Sequence, residues 1–165
     1  MTRKPVIAVI GPGSCTPEQA AVAEEVGAAL ARRGAIVATG GLGGIMEAAS
    51  RGAQQAGGLV LGILPGSDIT AANPSVDVPL ATGIGEARNV VLVTSAQAVV
   101  AVGGALGTLA EIAFALKAGR PVIGLNTWSI DPALSGGPTV VAANSVNDAV
   151  SLALDAAGAR AARGV

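Results

Sequence analysis

The chain has 165 residues, with ten basic and eleven acidic side chains, a formal charge of −1 and no basic run, so it lacks the electrostatic footprint of a nucleic-acid or anionic-membrane binder. Hydrophobic residues make up 51% and charged residues 13%, a balance that excludes a disordered chain and suits one globular domain around one sizeable core. The absence of histidine removes a histidine base and most zinc or iron sites, and Phe114 and Trp128, the only aromatics, are too few to stack single strands.

The opening MTRKPVIAVIGPG carries a strand over 6–11 whose apolar run breaks at Gly11 and Pro12, unlike a signal peptide or membrane span, and this places the chain in the cytoplasm. Cys15 follows; as the lone cysteine it forms no internal disulfide, and without a histidine to activate it it reads as a small buried residue. Thr16, Pro17 and Gln19 form a capping box with proline at the first helical position, opening a helix over 17–33. A strand over 35–40, a helix over 44–56 and a strand over 59–64 come next. The irregular segment 66–84 carries a short extra strand at 76–81, and it leads into a helix over 85–96. Then come a strand over 98–103, a helix over 107–118, strands over 121–126 and 139–144, and a last helix over 146–162 that Ser145 and Asp148 cap. The strands are continuously apolar, which implies burial on both faces, and they alternate with helices. The expected fold is a single-domain, Rossmann-like α/β layer, a doubly wound parallel sheet with helices on both faces, spanning 1–165.

In such a sheet ligands sit beyond the carboxyl ends of the strands. The glycines collect at those exits, in GPGS (Gly11, Gly13, Ser14), GGLGG (Gly40, Gly41), PG (65–66) and GGALG (Gly103, Gly104, Gly107). A dinucleotide fingerprint is not met, because Thr16 stands at its third glycine and Thr39-Gly40 ends the second strand in place of an acid. A P-loop is not met either, since no lysine follows Gly107. What survives is an anion site at the start of helix 107–118, where backbone amides and the Thr108 hydroxyl suit a phosphate monoester.

Glu111 admits two readings. Thr108 to Glu111 is spaced as a capping box, in which Glu111 serves only the helix terminus. Against that stands Arg88, the only cation between Arg51 and Lys117, which near an apolar crevice needs a carboxylate or phosphate partner. Glu47 and Glu86 fall early in predicted helices, where acids suit the dipole.

The segments GGLGGIMEAASRGAQQAGG, LPGSDITAANPSVDVPLATGIGEARN and VGGALGTLAEIAFALKAGRPV together resemble the Lonely Guy superfamily, often labelled as possible lysine decarboxylases, and within it the small Rossmann-like proteins related to molybdenum cofactor carriers. The resemblance covers residues 5–155. It implies a nucleotide-binding crevice, a homodimer formed through helices 85–96 and 107–118, and no required cofactor. In cytokinin-activating members an arginine and the motif glutamate hydrolyse a nucleoside 5′-monophosphate to base and ribose 5-phosphate. Those roles map onto Arg88 and Glu111, with Gly103, Gly104, Gly107 and Thr108 as the phosphate loop. This chain departs from those members in carrying Arg88-Asn89 for Arg-Lys, Val102-Gly103-Gly104 for Pro-Gly-Gly, and Glu47 for glycine. Lys4 and Lys117 are poorly placed to hold pyridoxal phosphate, so lysine decarboxylation is not expected. The expectation is therefore a phosphoribohydrolase-like enzyme acting on an AMP-like nucleotide, and the alternative is a noncatalytic carrier of a small phosphorylated ligand such as molybdenum cofactor.

Overall fold

The structure, a computed structural model, describes residues 3–162. Seven strands, β1 (Val6–Ile10), β2 (Ile36–Thr39), β3 (Val60–Leu64), β4 (Val78–Ala81), β5 (Ala98–Val102), β6 (Val122–Leu125) and β7 (Val140–Ala142), form one sheet in the order β4-β3-β2-β1-β5-β6-β7. Every pairing is parallel. Six helices accompany it: α1 (Pro17–Arg32), α2 (Ile45–Gln55), α3 (Arg88–Ser95), α4 (Leu106–Lys117), α5 (Pro132–Ser135) and α6 (Val146–Ala162). This is the expected doubly wound, Rossmann-like layer.

The apolar strands sort their side chains by parity. Ile7, Val9, Val37, Val60 and Val100 face α1, α2 and α6 in one core, while Ala8, Ile10, Ala38, Ile63 and Val99 face α3 and α4 in the other. The five inner strands are thus covered twice, which is why their sequences show no polar alternation, while the edge strands β4 and β7 stay largely exposed. On the first face α1 and α2 meet backbone to backbone: a β-carbon at Gly27 would strike the Ala49 carbonyl, and one at Gly52 the Glu24 carbonyl. Arg51 and Glu24 close that contact with an ion pair at 2.8 Å, the one ion pair among the described residues.

Chain order runs outward from β1 to β4 and then restarts with β5 on the other side of β1. The strand order therefore reverses between β1 and β5, and the turns leaving those strands diverge and open a crevice.

Three local expectations need correction. The helix expected over 85–96 is a 3-10 turn, Gly85–Ala87, followed by α3, so Arg88 sits at the first α-helical position. Helix α4 begins at Leu106, one residue early, and Thr108 is consequently inside its first turn. The four-residue α5, capped by Asp131 and ended by Gly136 at φ 75°, was hidden within the segment between the last two strands.

Candidate functional site

The four glycine-bearing exits meet. A crevice of about 410 Å³ at the carboxyl edge is lined by Gly11, Pro12 and Gly13 after β1, Leu42 and Met46 after β2, Pro65 after β3, and Ala105, Gly107, Thr108 and Glu111 after β5. Glu86, Arg88 and Asn89 close it from the entry to α3. Its size lies within the range of small-molecule sites. Larger hollows lie between α1 and α2 (about 460 Å³) and between the start of β1 and the end of α6 (about 680 Å³). No residue lining either holds a buried polar side-chain atom without a partner. Three residues lining the crevice do: Arg88 at Nε, Asn89 at Oδ1 and Thr108 at Oγ1. Unpartnered polar atoms are costly in an interior; the others among the described residues, Arg120 Nε, Thr127 Oγ1 and Arg160 Nε, lie outside the crevice, which alone gathers three.

Arg88 is 8% exposed, and its Nη1 donates to the Gly40 carbonyl and, at 2.5 Å, to the Ile63 carbonyl. The guanidinium therefore lies across the ends of β2 and β3, held by backbone rather than by a carboxylate. Of the carboxylate or phosphate partner expected for Arg88, the carboxylate is not there as an ion pair among the described residues: carbonyl oxygens at the strand ends hold Nη1. Gly40 is explained by the same contact, because a β-carbon there would collide with the guanidinium and the Met46 sulfur. Burial lowers the arginine's pKa, and the charge of Glu111 opposes that shift.

Glu111, also 8% exposed, faces the crevice from the second turn of α4. Burial lifts its carboxyl to about 7, against the pull of Arg88, so it titrates near neutrality. The capping reading of Glu111 is overturned. The residue before α4 is Ala105, no side chain caps the helix, and the Thr108 hydroxyl has no partner.

The caps divide the six helices into two groups. Thr16, Asp131 and Ser145 each accept from an amide in the first turn of α1, α5 and α6. Helices α2, α3 and α4 begin after Gly44, Ala87 and Ala105 with no side-chain cap, and all three contribute residues to the crevice. The first amide of α2 is taken by the Pro12 carbonyl at 3.0 Å. The amides of Leu106, Gly107 and Thr108 lie in the first turn of α4, where a helix offers no acceptor and carries partial positive charge, and Gly107 and Thr108 line the crevice.

The remaining predicted positions separate. Gly11, Gly13 and Gly107 line the crevice, and the space a side chain at 107 would enter is open. Gly41 is buried beside it, where a β-carbon would meet Leu64. Ser14 is exposed and outside the lining, and Gly103 and Gly104, in the turn before α4, do not line the crevice either. Sequence reasoning missed Pro12, Leu42, Met46, Pro65 and Asn89 as lining residues, and read Glu86 only as a helix-start acid; Asn89 alone carried a signal, being adjacent to Arg88. Lys4 and Lys117 lie at the opposite edge. Among the described residues no group of three or more side chains is arranged to hold a metal ion, and no helix is long and apolar enough to cross a membrane.

Residues 4–152 match the SLOG cluster4 family. The fold superposes on the molybdenum cofactor binding protein from the phototrophic bacterium Rippkaea orientalis with a TM-score of 0.84, at 40% identity over 92% of this chain and 96% of that one. The Moco carrier protein from Chlamydomonas reinhardtii is similar at a TM-score of 0.83, with 39% identity over 93% of this chain and 98% of that one. A protein of unassigned function from Archaeoglobus fulgidus is 46% identical over 119 residues, 72% of this chain and 78% of its own length.

Proposed function

The chain belongs to the SLOG cluster4 family, and on that premise we propose that its carboxyl-edge crevice binds a phosphorylated ligand of the molybdenum cofactor type and carries it without breaking a bond. The observation that carries this reading is the uncapped start of α4. Its free amides and the partnerless Thr108 hydroxyl offer donors to a phosphate, and Arg88 supplies the only positive side chain lining the crevice. Asn89 and Glu111 stand where a heterocycle's donors and acceptors would be met. The two carrier-type structures, each near 40% identical over most of their length, support the same ligand class. The test is to purify the protein and assay bound molybdenum by mass spectrometry and released pterin by fluorescence after oxidation. Stoichiometric cofactor taken up from a donor is the expected result. Failure to take it up, with tight binding of an unrelated anion, overturns the ligand assignment.

A second reading rests on Glu111. A carboxyl titrating near 7 is suited to take a proton from the attacking water, and in its ionised form to face a ribosyl cation, as hydrolysis of a nucleoside 5′-monophosphate requires. Incubation with purine and pyrimidine monophosphates and chromatography of free base decides it: release that Glu111→Gln abolishes favours the enzyme, and binding without release favours the carrier.

The same proposal includes pairing with a second copy through α3 and α4. Val90, Val91 and Phe114 are 37%, 37% and 41% exposed there, an apolar surface that a partner would cover. Sedimentation at micromolar concentration should give a dimer, and a monomer there removes this part of the reading.

A further inference from the structure

We infer that Trp128, on the far side of the glycine turn from the crevice, is a positioning residue that holds the α4 amides in their anion-binding arrangement; this rests on the crevice being an anion site. The indole lies on the turn 103–105. A β-carbon at Gly104 would stand 2.9 Å from Nε1 and 3.1 Å from Cδ1, so residue 104 is glycine to admit the ring rather than to admit an anion. Trp128 Nε1–H donates to the Ala105 carbonyl at 3.1 Å, the same oxygen that accepts the Leu109 amide at 2.9 Å as the first bond of α4. The side chain is therefore bonded to the residue from which the helix starts, and that residue also lines the crevice.

Two further contacts join the exit of β6 to the exit of β5. The Gly103 amide donates to the Leu125 carbonyl at 3.0 Å, with Gly103 in the left-handed region at φ 66°. Asn126 is the one non-glycine residue with positive φ among those described, at 50°, and it reverses the chain so that Trp128 reaches back over the turn. A strained backbone residue persists where its surroundings over-determine it. Here the strain delivers an aromatic ring to a turn with no side-chain cap and two glycines, which left alone would sample many conformations. Donors that converge on an anion bind it well only when they are held in place before it arrives.

The only tryptophan, in a chain without tyrosine, is its own reporter. Inorganic phosphate neither absorbs nor quenches at its emission, so titrating the full chain with phosphate should produce a saturable change in tryptophan emission, with a midpoint equal to that of the thermal shift. Trp128→Phe keeps a ring over Gly104 and removes the donor; that bond is made without phosphate, so its loss should lower the phosphate-free unfolding midpoint by about 2–4 °C, and the loosened amides should weaken phosphate by about fivefold. Gly104→Ala, which displaces the ring of an intact Trp128, should weaken phosphate similarly and abolish the emission change. Wild-type affinity in both variants, or a thermal shift with silent emission, overturns the role of Trp128 and leaves the crevice standing. No thermal shift in the unaltered protein removes the anion site itself, and Trp128's role with it.

Discussion

At the amino edge of the sheet, where helices end, cations meet backbone or hydroxyl oxygen close to solvent. Arg160 donates to the Gly119 carbonyl at 2.6 Å, Arg120 to that of Thr94 at 2.7 Å, and Arg33 to the Ser151 hydroxyl at 2.8 Å. Arg32 and Lys117 stand in the last turns of α1 and α4, where the dipole favours them. The carboxyl edge is the reverse: Glu18, Glu47, Glu86, Glu111, Asp131 and Asp148 gather there, and Arg88 lies among them. Helix physics accounts for most of both edges, since acids suit helix starts and bases helix ends. It does not account for Arg88, which is buried, stands at the positive end of α3 and is held by carbonyls alone. Arg88 is thus placed against both burial and the dipole, and the anion proposed for the crevice would answer that charge.

The contrast breaks most visibly through Glu111. Its folded-state pKa of about 7 lies above the ordinary 4.5, so between those values the folded protein holds a proton that the unfolded chain releases. Stability should fall as pH rises from 4.5 to 7, by about 3 kcal/mol in all, and level off above. Urea unfolding across that range should show the slope in the unaltered protein and its loss in Glu111→Gln; equal slopes would mean the carboxyl is solvated.

Arg88→Ala comes next. Removing the charged donor from Gly40 and Ile63 should cost about 2 kcal/mol and eliminate phosphate-dependent stabilisation. Retained phosphate stabilisation would move the anion elsewhere. Gly107→Val should change unfolding free energy by less than about 1 kcal/mol, because the position is helical, exposed and open, yet the added side chain should abolish the phosphate thermal shift by covering the α4 amides. An intact shift would show that the anion does not approach that turn. The smallest effect belongs to the amino edge. Arg160→Ala should cost about 0.5 kcal/mol and leave phosphate binding unchanged, the ordinary result for a half-buried helix-end cation; a change in phosphate binding would mean that the edges are coupled.

Strand and helix periodicity, the caps at Thr16 and Ser145 and the gathering of glycines at the carboxyl edge were legible in the sequence because each rests on neighbours within a few residues. The motif residues Arg88 and Glu111 were legible as a pair, since the chain carries so few charges between Arg51 and Lys117. Their relation was not. Thr108 to Glu111 is spaced as a capping box, and only the start of α4 at Leu106 shows that the helix begins too early for Thr108 to cap it.

Local sequence thus determined which segments become buried parallel strands and which exits are glycine-rich, because those properties follow from side-chain periodicity and backbone freedom. Tertiary structure decided what each glycine is for, and which polar groups are left without partners. Gly40 accommodates Arg88 from 48 residues away, and Gly104 accommodates Trp128 from beyond the next strand. Packing brings those side chains over the turns and buries the Arg88 guanidinium, and no spacing within a single segment encodes such an encounter.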